Sequence, residues 1–235
     1  MSEIPDNYYF CLMGQTGGLS IEEGLLKLSG VVPRPVVQFL NYYKEVPVSA
    51  VATILTVDEN KLVCRTSEVQ ARAIEFSGYT IIEGVPFPHH VYANAHYDAD
   101  TGEITLSGFN YADVHSNRRT SVRVRMQVPP VIGVEAGATK FNGRMMDLSL
   151  TSCAVTIPDR KLLESFSFFY LTITMPFPTN QTPVMTRVMA KLTQVHQQNR
   201  LFRCIFLFEH DKSSEDRIGA LIARRQTEII RELSS

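Results

Sequence analysis

Short alternating apolar segments, separated by turn residues, limit what this chain can fold into more than any other feature. In PVSAVATIL (residues 47–55), Val48, Ala50, Ala52 and Ile54 fall on one side of an extended chain, and Ser49, Val51, Thr53 and Leu55 on the other. VDEN is a turn and KLVCRT a returning strand, so the stretch predicts a hairpin. VYANAHYDADTGEITLSGF repeats the arrangement around an Asp/Gly-rich turn at residues 98–103. A second run follows: SVRVRMQV, GRMMDLSL, CAVTIP, FYLTITM, TRVMAKLTQV and LFRCIFLFE. Short strands succeeding one another with turn chemistry between them point to sandwich or barrel units and away from βαβ repeats.

Helical signals sit at the two ends. Residues 19–43 read as helical in two pieces. Ser20 and Glu23 form a capping box before GLLKL, while Gly30, Pro33 and Pro35 interrupt the pattern. VVQFLNYY then reads as a short apolar helix or the lead into a strand. GQTGG (residues 14–18) lacks a following Lys-Ser/Thr and a preceding apolar strand, so it reads as a loop rather than a phosphate cradle. In SSEDRIGALIARRQTEIIRELSS, Ile218, Leu221, Ile222, Ile229 and Leu233 recur at helical spacing, with Ser213 or Ser214 as cap and acids in the first turn. An amphipathic helix therefore ends the sequence.

Charge divides the chain. The formal net charge is -1, yet residues 1–114 hold 6 basic and 14 acidic residues (-8), and residues 115–235 hold 17 and 10 (+7). Opposite balances in the two halves suggest two modules with different partners, the second favouring anions, and a weak salt-dependent attraction between halves. The expected architecture is mainly β, with two small β-barrel domains and a C-terminal amphipathic helix. Residues 1–110 form a helical lead and an acidic barrel, 111–117 a linker, and 118–235 the second barrel with its helix.

Composition removes several function classes. With 44% hydrophobic and 20% charged residues over 235 positions, each module can bury its own core. Cys11, Cys64, Cys153 and Cys204 show no C-x-x-C spacing, which suggests neither a zinc site nor a disulfide framework. No basic leader and no apolar run of about 18 residues is present, so the expectation is a cytoplasmic protein without a membrane span. No nucleophile elbow, catalytic carboxylate pair or dinucleotide fingerprint occurs, so the chain reads as a non-enzyme with no metal and no cofactor. His90 and His96 share a strand face with Tyr92 and Asn94 but have no carboxylate or cysteine at ligand spacing. His115, beside the arginines, could make binding pH-sensitive or be a plain linker residue. Phe109, Tyr111 and Phe141 could stack on bases, but the acidic first half would repel a long polyanion, which disfavours nucleic acid. The last helix and SFSFFYLTITM offer apolar surface for a homo-oligomer or for a core.

HSNRRTSVRVRM (residues 115–126) packs Arg118, Arg119, Arg123 and Arg125 into eight positions. Such packing is unfavourable unless water, acids or an anionic ligand offset the repulsion. Alternation buries Val122, Val124, Met126 and Val128 and puts Ser121, Arg123, Arg125 and Gln127 on the other face. Guanidinium groups bind phosphate bidentately and stack on purines, which suits a nucleotide. A solvated basic strand is the alternative. In MMDLSLTS, Asp147 and Ser149 at spacing two point the same way. Asp147 could accept from a guanine edge or tether an arginine, and Ser149 could bond ribose or phosphate; an ordinary Asp/Ser turn is the alternative.

Together these elements resemble the PilZ domain, the bacterial receptor module for cyclic di-GMP, whose pattern is R-x-x-x-R and then [D/N]-x-S-x-x-G. Arg119-Thr-Ser-Val-Arg123 matches the first part, with Arg118 before it, and Asp147-Leu-Ser149-Leu-Thr-Ser152 matches the second except at its last position. The apolar strand and helix at the end fit as well. The acidic front half is similar in architecture to the barrel preceding PilZ in receptors of the flagellar-brake type. The resemblance implies that Arg118, Arg119 and Arg123 hold phosphates and stack on guanine, and that Asp147 and Ser149 complete the site. It further implies that ligand binding at the linker re-orients the two domains and alters a protein partner. Ser152 stands where the family has glycine. If that position is left-handed, serine adds of order 1 kcal/mol of strain and about a tenfold loss of affinity. A degenerate PilZ-like protein–protein interaction module that does not bind the nucleotide is the competing reading.

Overall fold

The alternation over residues 47–65 is realised as a hairpin in a computed structural model of the protein, which describes residues 9–13, 20–29, 34–58, 60–115, 121–163, 166–175 and 184–234. The chain divides into two units, residues 1–120 with 229–235, and residues 121–228.

The first unit contains β1 (Phe10–Leu12), α1 (Ile21–Ser29), β2 (Val36–Tyr43), β3 (Val46–Asp58), β4 (Lys61–Arg65), α2 (Glu68–Ser77), β5 (Tyr79–Glu83), β6 (His90–Asp98) and β7 (Glu103–Val114). Its strands pair antiparallel in the order β7-β4-β3-β2-β5-β6, and β6 pairs again with β7, so six strands close into a barrel. β1 is added on β7 outside the ring, with Phe10 opposite Val114 and Leu12 opposite Ala112. The inner core is built on Phe39, Leu62, Ile74, Ile82, Ile104 and Leu106, each fully buried. Each contributes about 1.5–3 kcal/mol of transfer free energy.

Of its two readings VVQFLNYY takes the strand, as β2, and β7 runs to Val114. β2 lacks alternation because both its faces are covered. Val37 and Phe39 join the inner core, while Leu40 and Tyr42 join a second cluster with Phe10, Tyr79 and Tyr92. The capping box is formed as expected: the Ser20 N–H donates to Glu23 Oε2 at 2.9 Å, and the Glu23 N–H donates to Ser20 Oγ at 3.1 Å. α2 has no counterpart in the sequence reading. It starts at Ser67, whose hydroxyl accepts the Gln70 N–H, and ends at Gly78, left-handed with φ 72°.

The second unit contains β8 (Arg123–Arg125), β9 (Val131–Ala136), β10 (Thr139–Ser149), β11 (Ser152–Ile157), a 3-10 turn (Arg160–Leu163), β12 (Phe168–Met175), β13 (Val184–Gln198), β14 (Leu201–Glu209) and the helix α3 (Lys212–Ser234). The order β11-β14-β13-β12-β9-β10, closed by a β10–β11 ladder, makes a second six-stranded antiparallel barrel. β8 is added on β10 outside the ring. Val134, Met145, Leu148, Phe169, Leu171 and Phe206 fill the interior, all fully buried. Of the four residues expected on the buried face near β8, Val124 and Met126 are buried, Val122 is half-buried and Val128 is exposed, because the strand ends at Arg125.

α3 buries Ile218, Leu221, Ile222, Ile229 and Leu233, the stripe expected from the spacing. Its residues from Ile229 group with the first unit, where Leu233 packs with Val48 and Ala73 and Glu232 pairs with Lys44. The cap is Asp211, in place of either serine expected. Asp211 Oδ1 accepts the Ser214 N–H at 2.7 Å, and Ser214 Oγ accepts the Asp211 N–H at 3.2 Å. Neither unit's described helices include one long and apolar enough to cross a membrane.

Candidate functional site

β8 lies antiparallel to the end of β10, which sets Arg123 opposite Ser149, Val124 opposite Leu148, and Arg125 opposite Asp147. The two arginines therefore meet the two polar residues one for one across a single ladder, where facing Cβ atoms stand about 5 Å apart. A bulge between Met145 and Asp147 helps to aim the carboxylate. Met145 and Leu148 are both buried although three positions apart, which an unbroken strand does not allow, so the bulge turns Asp147 outward between them.

Asp147 is already engaged. Arg203, from β14, donates from Nη2 to Asp147 Oδ2 at 2.9 Å, with the two side chains 24% and 13% exposed. Sequence reasoning missed Arg203, although its position was readable. In LFRCIFLFE, Cys204, Phe206 and Phe208 are buried, and alternation puts Arg203 on the opposite side. Arg225 was missed as well. It lies buried on α3, donates from Nε to the Arg125 carbonyl at 3.2 Å and from Nη1 to Glu228 at 3.1 Å, and so fixes the backbone of β8.

Ser149 and Ser152 turn toward each other. The Ser149 hydroxyl accepts the Ser152 N–H at 3.1 Å and lies 3.0 Å from the Ser152 hydroxyl, and both residues are buried. The pair closes the turn between β10 and β11. Ser152 has no left-handed backbone: among the described non-glycine residues only Lys44, Glu45 and Asn199 have positive φ. The strain expected of serine at this position is therefore absent, and its hydroxyl serves the turn. Cys153 follows at the centre of the barrel, where burial, reinforced by the Asp147 charge, holds its thiol well above the ordinary range.

The structure thus brings together Arg123, Asp147, Ser149 and Ser152, and adds Arg125, Arg203 and Arg225. Arg118 and Arg119 lie outside the described residues. The histidine face of β6 changes in one respect. His90 Nε2 lies 3.0 Å from Glu83 Oε1 on the neighbouring β5, a carboxylate that sequence spacing could not reveal.

The second unit thus sets arginines beside a hydrogen-bonding carboxylate and a polar turn on a closed barrel. Residues 117–224 match the PilZ domain family, and this part of the chain is a PilZ domain. No match is found among curated protein sequences. Among solved structures, the chain is similar to the Bacillus subtilis inhibitor of motility MotI/DgrA at 14% identity and TM-score 0.41, covering 82% of this chain and 96% of that one. It is similar to Escherichia coli YcgR in complex with c-di-GMP at 14% identity and TM-score 0.38, covering 89% and 91%. K. pneumonia MrkH, also as its c-di-GMP complex, stands at 14% identity and TM-score 0.37, covering 89% and 92%.

Proposed function

We propose that this chain is a receptor for cyclic di-GMP that works by binding and not by catalysis. The observation that carries the reading is the ladder of β8 on β10, which puts Arg123 and Arg125 in register with Ser149 and Asp147 within a PilZ domain. Arg123, with Arg118 and Arg119 carried over from the family motif, takes the phosphates and stacks on guanine, for which the planar guanidinium is suited. Asp147, held by Arg203, accepts from a guanine N–H edge through its second oxygen. Ser149 and Ser152 brace the turn that presents Asp147. Because Arg118 and Arg119 lie between the two barrels in the sequence, binding re-orients the domains, and a protein effector reads the change. The setting is the cytoplasm of a bacterium.

One observation favours a second reading. The Asp147 carboxylate and the Ser149 hydroxyl have partners within the protein, as expected of a module that meets proteins through its arginine face without a nucleotide.

The test is calorimetric titration of the protein with cyclic di-GMP beside an Arg123→Ala variant. Micromolar or tighter binding, weakened about 100-fold in the variant, supports the receptor reading, since a charge-assisted arginine contact contributes about 1.5–3 kcal/mol. A folded protein that binds no nucleotide puts the interaction module first.

A further inference from the structure

The first barrel carries a cluster that its PilZ neighbour does not explain. β1 is a strand of three residues, yet it is well anchored. Phe10 is buried among aromatic rings, 5.3 Å from Tyr79 and 5.2 Å from Tyr92, and the Met13 N–H continues the ladder to the Tyr111 carbonyl at 2.8 Å. Alternation then leaves Cys11, between Phe10 and Leu12, on the outer face, directly opposite Asp113 of β7. His115 follows Asp113 by two positions, and its Nδ1 stands 3.9 Å from Asp113 Oδ2. A thiol, a carboxylate oxygen and an imidazole nitrogen thereby converge, all within 4.8 Å of one another. Cys11 is exposed, while Cys64, Cys153 and Cys204 are buried.

We propose that Cys11, Asp113 and His115 form a three-ligand site for a divalent zinc-class metal ion, with a fourth position open to water or an external ligand. The donor set argues for this metal class. Thiolate and imidazole together select borderline-soft ions such as Zn2+ over Mg2+ or Ca2+, and a carboxylate completes an S, N, O tripod. The geometry is close to what is needed. Tetrahedral coordination at about 2.0–2.3 Å separates ligand atoms by about 3.3–3.7 Å, so sub-ångström to ångström movements of side-chain ends suffice. Electrostatics help, because residues 1–114 carry a net charge of -8 and raise the local concentration of cations. On coordination the Cys11 thiol proton leaves to solvent. No cysteine spacing motif announces the site, because its ligands come from the two ends of the first barrel. It lies wholly within that barrel and stands whether or not the second binds cyclic di-GMP.

The experiment is a titration of the reduced full chain with Co2+, followed by Zn2+. One equivalent of Co2+ should give a thiolate-to-metal charge-transfer band, with the strong visible absorption of tetrahedral cobalt, and Zn2+ should erase both. Cys11→Ser should abolish the charge-transfer band, and His115→Ala and Asp113→Asn should each weaken binding at least tenfold. Alkylation of Cys11 in the unaltered protein, which needs no variant to fold, should slow at least tenfold when Zn2+ is added. A titration without the band, a band that persists in Cys11→Ser, or an alkylation rate indifferent to Zn2+ overturns the proposal.

Discussion

The two barrels are wired alike and charged oppositely. Each closes six antiparallel strands, and each lays a three-residue strand on the outside of its long closing strand: β1 on β7, β8 on β10. In both, the added strand carries the chemistry. β1 sets Cys11 against Asp113, and β8 sets Arg123 and Arg125 against Ser149 and Asp147. A closed ring has no free edge, so the short outside ladder is where side chains can gather without disturbing the interior. The barrels differ in what holds their polar groups. The first has a buried hub, Asn41, whose amide donates to Ser77 Oγ at 2.8 Å and whose oxygen accepts from Gln70 at 2.7 Å and Thr80 at 2.8 Å. The second relies on the smaller Ser149–Ser152 pair. Equivalent wiring thus leaves both ligand chemistry and internal bracing free to diverge.

The equivalence is tested most sharply at the cores. Phe39→Ala in the first barrel and Phe206→Ala in the second should each cost about 3–5 kcal/mol, since both rings are fully buried. Denaturant unfolding of the two variants measures it, and a gap beyond about 2 kcal/mol would show that the barrels are not energetic equals. Next come the polar braces. Asn41→Ala strands several buried partners and should cost about 2–3 kcal/mol, whereas Ser149→Ala should cost about 1 kcal/mol, both read by the same unfolding curves. Arg203→Ala should weaken cyclic di-GMP binding about tenfold by freeing Asp147, with Arg203→Lys recovering part of the loss in the same calorimetric titration.

Smaller effects separate the surfaces. Iodoacetamide near pH 8 should modify Cys11 and spare the other three thiols in the folded protein, which mass spectrometry of peptides reads directly. Burial pushes the Cys64 thiol up to about 12 and the Cys204 thiol up to about 11, so neither supplies thiolate at that pH. The smallest effect is on the acid side. The Ser214 N–H holds the Asp211 carboxyl below its ordinary value, and the Asp100 N–H does the same for Asp98 in the first barrel. A lowered folded-state value means that the contribution is complete above the ordinary carboxylate range, near pH 4, and fades as pH falls through the lowered value. Asp211→Asn should flatten the melting temperature slightly between pH 5 and 2, as followed by circular dichroism.

Alternation made most strands readable, because each barrel strand has one face inside and one outside. It failed where both faces are covered, as in β2, and where a strand stops short, as after Arg125. α2 was readable in principle from Ser67 and Gly78, whose cap roles need no tertiary information. The arginine cluster and the Asp147-x-Ser149 pair are local in sequence and were found there. Arg203, Arg225 and the Cys11–Asp113–His115 cluster were not, because barrel closure or helix docking brings them to their partners from distant positions. Ser152 shows the converse: a motif mismatch suggested strain, and the backbone has none.

The grouping of Ile229–Ser235 with the first barrel has a consequence for biosynthesis. Val48 and Ala73 leave the ribosome long before Leu233, which packs with them. The first barrel therefore begins to form before the PilZ domain is made and is completed only after it. Until Leu233 emerges, a nascent chain lacks one of the side chains that cover Val48 and Ala73 on its acidic barrel.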